Sequence, residues 1–189
     1  MPSNPDTRVQ ELVDRIRSSD EAVSGAAWQS AAPYGAAAVQ PLVALMAEED
    51  FELARKGKRA LYLVIRRAGR PAAERERKAV ERELIQALST APDPVRCALV
   101  WMLAEIGGAS SVGPIATLLT NCEVREDARC ALIRLPDPAA VKALKMAIPD
   151  APIQFRYALA EAVRARGEKV DGYPSRKMVP TAQTKVAAP

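Results

Sequence analysis

Asp93-Pro-Val-Arg-Cys-Ala-Leu-Val-Trp-Met-Leu-Ala-Glu-Ile-Gly107, followed after a short break by Val112-Gly-Pro-Ile-Ala-Thr-Leu-Leu119, reads as one helix, a glycine break and a second helical stretch. In the first helix Val95, Leu99, Met102, Leu103 and Ile106 share a face and form the stripe a core requires. Ala98, Trp101 and Glu105 follow i, i+3, i+7 on another face, which points Trp101 away from the main core.

Sliding the chain by 73 residues lays this stretch over an earlier one. Asp20, Trp28, Ala31, Gly35, Ala36, Val39, Pro41 and Leu45 then match Asp93, Trp101, Ala104, Gly108, Ala109, Val112, Pro114 and Leu118, eight identities in twenty-six gapless positions. The chain has only two tryptophans and both are in register, so Ala-rich bias does not explain the match. Self-similarity at a fixed offset is the mark of a repeat architecture. A basic residue, a variable one and Ala-Leu recur as Lys58-Arg59-Ala60-Leu61, Arg96-Cys97-Ala98-Leu99, Arg129-Cys130-Ala131-Leu132 and Arg156-Tyr157-Ala158-Leu159. Second helical stretches are expected at 71–89, 110–120 and 138–147, opened by Pro71, by Ser110-Ser111 and by Asp137-Pro138. An amphipathic helix over 7–18 precedes a pair at 20–32 and 36–48, broken by Pro33-Tyr34-Gly35. About ten helices result. The periodic domain covers 7–167, and 168–189, which lacks any helical period, is expected to be a flexible tail.

Composition agrees. Of 189 residues 49% are hydrophobic but only 4% aromatic, so Ala, Leu and Val carry the burial and an all-α fold is favoured over a β-sandwich. No apolar run approaches eighteen residues, and Met-Pro-Ser-Asn-Pro-Asp at the start carries neither a basic nor an apolar stretch. No membrane contact and a cytoplasmic location are therefore expected. Cys97, Cys122 and Cys130 are odd in number and form no Cys-x-x-Cys pair, as suits reduced thiols acting first as small packing residues. The chain contains no histidine, which removes the commonest general base and metal ligand. No catalytic centre, cofactor or metal is expected.

Residues 93–119 resemble a HEAT-like repeat of the phycobilisome-lyase type, with its Asp, Val-Arg, small residues, Leu, Ile-Gly and later Pro-Leu. The likeness extends to 20–46 and, more faintly, to 52–89, 123–148 and 151–166. Repeat four departs from it, with Leu135-Pro136 in place of Ile-Gly, and repeat two is lengthened. The tetratricopeptide pattern of Trp-x-x-Leu-Gly-x-x-Tyr and the ankyrin Thr-Pro-Leu-His fit less well. The resemblance implies a right-handed, armadillo-like α-solenoid of about five helix pairs, in which stacking makes a continuous core and a long concave surface. It also implies that an arginine near the helix start pairs with a carboxylate three residues earlier, as Asp93 precedes Arg96 and Glu126 precedes Arg129. The face carrying Trp101 would then line the concave side.

On that basis the expected partner-binding residues are Trp28, Leu63, Arg67, Trp101, Glu105, Arg134 and Glu161. The alternative is that the tryptophans pack laterally between repeats. A second candidate is the basic run Arg55, Lys56, Lys58, Arg59, Arg66, Arg67 and Arg70. Residues 1–50 hold three basic and eight acidic side chains, whereas 52–83 hold eleven basic and five acidic. That run, which has Tyr62 inside it, would attract nucleic-acid backbone, an acidic protein or an anionic surface. It could equally be a solvated face neutralised by Glu74, Glu76, Glu81 and Glu83 on the next helix, where Glu74/Lys78 and Arg77/Glu81 stand at i, i+4. The leading expectation is a non-catalytic protein-interaction scaffold, acting as a monomer. A nucleic-acid-binding protein and an accessory subunit of a lyase-type enzyme are the alternatives.

Overall fold

The apolar stripes read from the sequence become the buried surfaces of stacked helical hairpins. In the computed structural model, which describes residues 5–175, helix α1 spans Pro5–Ile16 and α2 spans Glu21–Gln29, and a 3-10 segment Ala32–Ala38 leads into α3, Val39–Met46. Then come α4 (Phe51–Ala68), α5 (Glu74–Thr90), α6 (Asp93–Ile106), α7 (Ala109–Thr117), α8 (Arg125–Arg134), α9 (Pro138–Ala147) and α10 (Ile153–Ala165). A 3-10 turn Leu118–Thr120 extends α7. Ten α-helices and no strand occur among the described residues.

The first helices α2, α4, α6, α8 and α10 pack in sequence as one layer, and the second helices α3, α5, α7 and α9 as the other. The core runs between them through Leu42, Leu45, Leu61, Ile65, Leu84, Leu99, Met102, Leu103, Ile115 and Leu132, each essentially inaccessible to water. The α1 stripe of Val9, Leu12, Val13 and Ile16 closes the amino-terminal end. The layers approach closely at Gly57, where a Cβ would stand 2.7 Å from Leu45 Cβ and 3.2 Å from the Leu42 carbonyl.

Arginines satisfy carboxylates and main-chain carbonyls at the helix ends. Arg96 binds Asp93 at 2.9 Å and donates to the carbonyls of Leu88 and Ser89, the end of the preceding α5. Asp93 also accepts from Asn121, which fixes the entry to the next hairpin. Arg129 binds Glu126 at 2.8 Å, so both expected arginine–carboxylate pairs are present. Arg156 donates to the Ala151 carbonyl and Arg166 to those of Ile133 and Leu135, the end of α8.

Asp137 caps α9 through the Ala139 N–H, as expected. Two other openings differ from expectation. Pro71 stands in a turn in which Ala72 takes φ +61°, and α5 starts only at Glu74. Ser111 is buried inside α7 rather than opening it, because Gly108 occupies the cap position.

Arg77 and Glu81 also depart from the expected solvated pair. Arg77 donates to the Ile106 carbonyl at 3.0 Å, while Glu81, 5% exposed, accepts from the Gly108 N–H at 2.7 Å and the Ser111 hydroxyl at 2.6 Å. Main-chain groups left open at two adjoining helix ends thus draw both side chains inward, the carboxylate meeting the positive end of α7.

Of segment 168–189, residues 168–173 fold back along α10. Arg164 donates to the carbonyls of Val170 and Tyr173, Lys145 pairs with Glu168 at 3.0 Å, and the Tyr173 ring meets Tyr157 edge-on at 5.6 Å. These contacts lie past the boundary expected at 167. The remainder of the expected tail, 176–189, lies outside the described residues.

Candidate functional site

The partner-binding side chains singled out from the sequence lie on the first helices α2, α4, α6, α8 and α10. Trp28 on α2 is half-buried against the core margin, and the Arg59 guanidinium of α4 lies 5.6 Å from its ring centre. Trp101 on α6 is also half-buried, and Arg134 of α8 lies 5.9 Å from its ring centre. Each tryptophan is therefore covered by an arginine from the next first helix. The Trp101 indole N–H donates to Asp127 at 2.7 Å, which satisfies its one polar group and fixes the ring's rotation. The two rings sit between neighbouring first helices and also border solvent.

The other residues of the row fall as follows. Leu63 is half-buried on α4, and Glu105 and Arg134 are exposed. Glu161 is exposed on α10 and binds Arg164 at 2.9 Å. Arg67 turns to the α4–α5 edge, where Glu76 lies 3.3 Å away. Tyr62 was noted only as lying within the basic run, yet it stands between repeats: burial first, then the Glu105 charge, push its hydroxyl above the usual tyrosine range, and Arg66 opposes the shift.

The basic run is partly neutralised. Arg55 pairs with Glu52, Lys56 with Glu21 at 2.9 Å, and Arg70 with Glu76 at 2.7 Å. Of the four acids expected to neutralise it from the next helix, Glu76 alone does so in these pairs. Glu74 binds Lys78, Glu81 caps α7, and Glu83 lies beside Arg82 and Gln40. Lys58, Arg59 and Arg66 remain exposed, without an ion pair among the described residues.

Cys97 faces the same layer, beside Asp127. Its thiol is pushed up to about 11, by burial first and then by the Asp127 hydrogen bond and charge, so it is a weak nucleophile at neutral pH. Cys130 is half-buried with the Arg129 guanidinium 3.4 Å from its sulfur.

Sequence reading missed a hollow of about 600 Å³ on the second-helix layer, lined by Ala116, Leu119, Ala143, Met146, Ala147 and Pro152. Met146 is 67% exposed there. The only signal for it is an apolar residue off the buried stripe of α9, where Ala140 and Leu144 carry the packing.

Residues 81–164 match the family model described as HEAT repeats. No curated protein matches the chain by sequence. Among solved structures, the crystal structure of an engineered protein is similar at 19% identity and a TM-score of 0.43, covering 86% of this chain and 84% of that one.

Proposed function

Because this chain is a HEAT-like repeat protein, we propose that it works as a non-catalytic scaffold, gripping a protein partner on the first-helix face that the family resemblance assigns to the concave side. The observation that carries this reading is the repeated tryptophan–arginine stack, Trp28 with Arg59 and Trp101 with Arg134. Large aromatic surfaces held in one orientation, with guanidinium groups upon them, are the composition of interface hot spots, and their rigidity lowers the entropy lost on binding. Leu63, half-buried on α4, and Glu105, exposed on α6, belong to the same layer of helices.

Nucleic acid is the second reading, carried by Lys58, Arg59 and Arg66, which stay exposed without an ion pair among the described residues. It is weaker, because Arg55, Lys56, Arg67 and Arg70 already have carboxylates.

A photo-crosslinking side chain placed at Leu63, with a control at exposed Ala139 on the other layer, tests the proposal. The Leu63 probe should capture protein in cell extract, and Trp101→Ala should remove the product, since truncating an interface anchor costs about 2 kcal/mol, roughly thirtyfold in affinity. Capture should survive moderate salt, whereas phosphate-backbone binding weakens steeply. Equal capture at both positions, or a Trp101→Ala chain that no longer folds, would defeat the assignment of this face.

A further inference from the structure

We infer that the first-helix face receives an extended acidic segment of a protein partner, with carboxylates on Arg59 and Arg134 and a basic side chain between them on Glu105. This rests on the scaffold reading above and specifies the chemistry of its partner.

The arginines of this chain fall into distinct groups. Arg55, Arg67, Arg70, Arg96, Arg129 and Arg164 are bound to carboxylates of the chain itself. Arg59 and Arg134 instead lie over indole rings and form no ion pair among the described residues. Stacking on an aromatic face fixes the guanidinium plane while leaving the N–H donors at its edge, the arrangement that binds a carboxylate in a two-pronged fashion. Two preorganised carboxylate receptors therefore occur on one face, each beside a repeat-equivalent tryptophan.

Their separation sets the length of the ligand. Arg59 is on α4 and Arg134 on α8, with α6 between. Neighbouring helices pack 8–10 Å apart, so the two receptors are roughly 20 Å apart along the stack. An extended chain rises about 3.3 Å per residue, which places the two acidic positions about six residues apart.

The middle of the face selects against a uniform polyanion. Glu105 is exposed on α6, forms no ion pair among the described residues and acts on Tyr62 between the receptors. Asp127 adds a second negative charge beside Trp101. A phosphate backbone crossing from Arg59 to Arg134 meets both, whereas a peptide with one lysine or arginine at its centre meets an attraction. Like charges placed opposite one another at an interface suppress wrong partners in this manner.

The test uses the full chain and three fluorescein-labelled probes read by anisotropy at low salt. One is a peptide with glutamates at both ends, six residues apart, and a central lysine. The second is its charge-inverted form, and the third is an oligothymidylate of matched length. The first should bind best. Arg59→Gln and Arg134→Gln should each weaken it about tenfold. Arg59→Lys and Arg134→Lys, which keep the charge and lose the fork, should fall between. Glu105→Lys should weaken the peptide and strengthen the oligothymidylate. Tighter binding of oligothymidylate by the wild-type chain, or peptide binding unmoved by both Arg→Gln changes, would overturn the inference. If Leu63 crosslinks to a protein in the Arg59→Gln/Arg134→Gln chain as in wild type, the scaffold reading stands and the acidic-segment assignment alone fails.

Discussion

Hairpins one (α2–α3) and three (α6–α7) share an aspartate at the start, a tryptophan bordering solvent, a glycine at the break and a proline in the second helix, yet their chains turn differently. In the first, α2 has nine residues and reaches α3 through the 3-10 segment, in which Gly35 adopts φ +55°, ψ −140°. In the third, α6 has fourteen residues and passes to α7 through Gly107 and Gly108, both extended, with no left-handed residue. The preceding helix accounts for the contrast. α5 offers Arg77 to the last carbonyl of α6 and Glu81 to the cap N–H of α7, whereas α1 sends no side-chain hydrogen bond to the 3-10 segment among the described residues and only lays Arg8 over the Tyr34 ring. Matching letters thus reproduce the layers, and the neighbour sets the turn.

The sharpest way to break the comparison is to remove the clamp. Glu81→Ala leaves the Gly108 N–H and the Ser111 hydroxyl without their acceptor inside the protein and opens a void in a site 5% exposed. The expected loss is about 4 kcal/mol, from unsatisfied donors, lost charge at a helix start and the cavity. Urea unfolding gives the magnitude, and hydrogen exchange should place the lost protection on α7 amides. Glu81→Gln keeps an acceptor and should lose about half as much. A Glu81→Ala chain within about 1 kcal/mol of wild type would mean that the clamp does not hold the turn.

The next effect separates the two glycines of the third break. A Cβ on Gly107 would stand 2.4 Å from the Leu103 carbonyl oxygen and 2.6 Å from Ser111 Oγ, although its dihedral angles suit any residue. Gly107→Ala should therefore cost about 3 kcal/mol through contact alone. A Cβ on Gly108 meets only Glu81 Oε1 at 3.8 Å, and the backbone there is extended. Gly108→Ala should stay within about 1 kcal/mol of wild type by the same urea measurement.

These positions also mark where sequence reading ends. The stripe from Val95 to Ile106 and the register of Trp28 with Trp101 carry the layers, because periodicity and identity are written in side chains. The i, i+3 spacing carries Asp93–Arg96 and Glu126–Arg129 for the same reason. Glu81 was illegible: beside Arg77 at i, i+4 it looks like a surface pair, and its true partner is a main-chain N–H in the next hairpin. The stacks of Arg59 and Arg134 were hidden likewise, since each arginine covers a ring on a different helix and no local spacing along the chain links the pair. Val170 and Tyr173 escaped because two apolar residues in a polar stretch form no period.

The smallest expected effect concerns the first break, where backbone conformation replaces the clamp. At Gly35 the nearest atom to an added Cβ is Glu76 Oε1 at 4.0 Å, so there is room for a side chain. Its φ of +55° with ψ −140° is nevertheless a conformation that L-residues avoid, and Gly35→Ala should cost about 2 kcal/mol. Asparagine tolerates the left-handed helical region, which needs ψ near +47°. Gly35→Asn should therefore be no better than Gly35→Ala if the break keeps its shape. Recovery with asparagine would show that the 3-10 segment relaxes into a left-handed turn, as a break without a clamp is free to do. Exchange protection should fall in α1 and α2 and stay unchanged in α7, since the third break is held by α5. Equal loss in α7 would mean that the two breaks are coupled through the stack, and the contrast between a turn held by its backbone and a turn held by its neighbour would have to be given up.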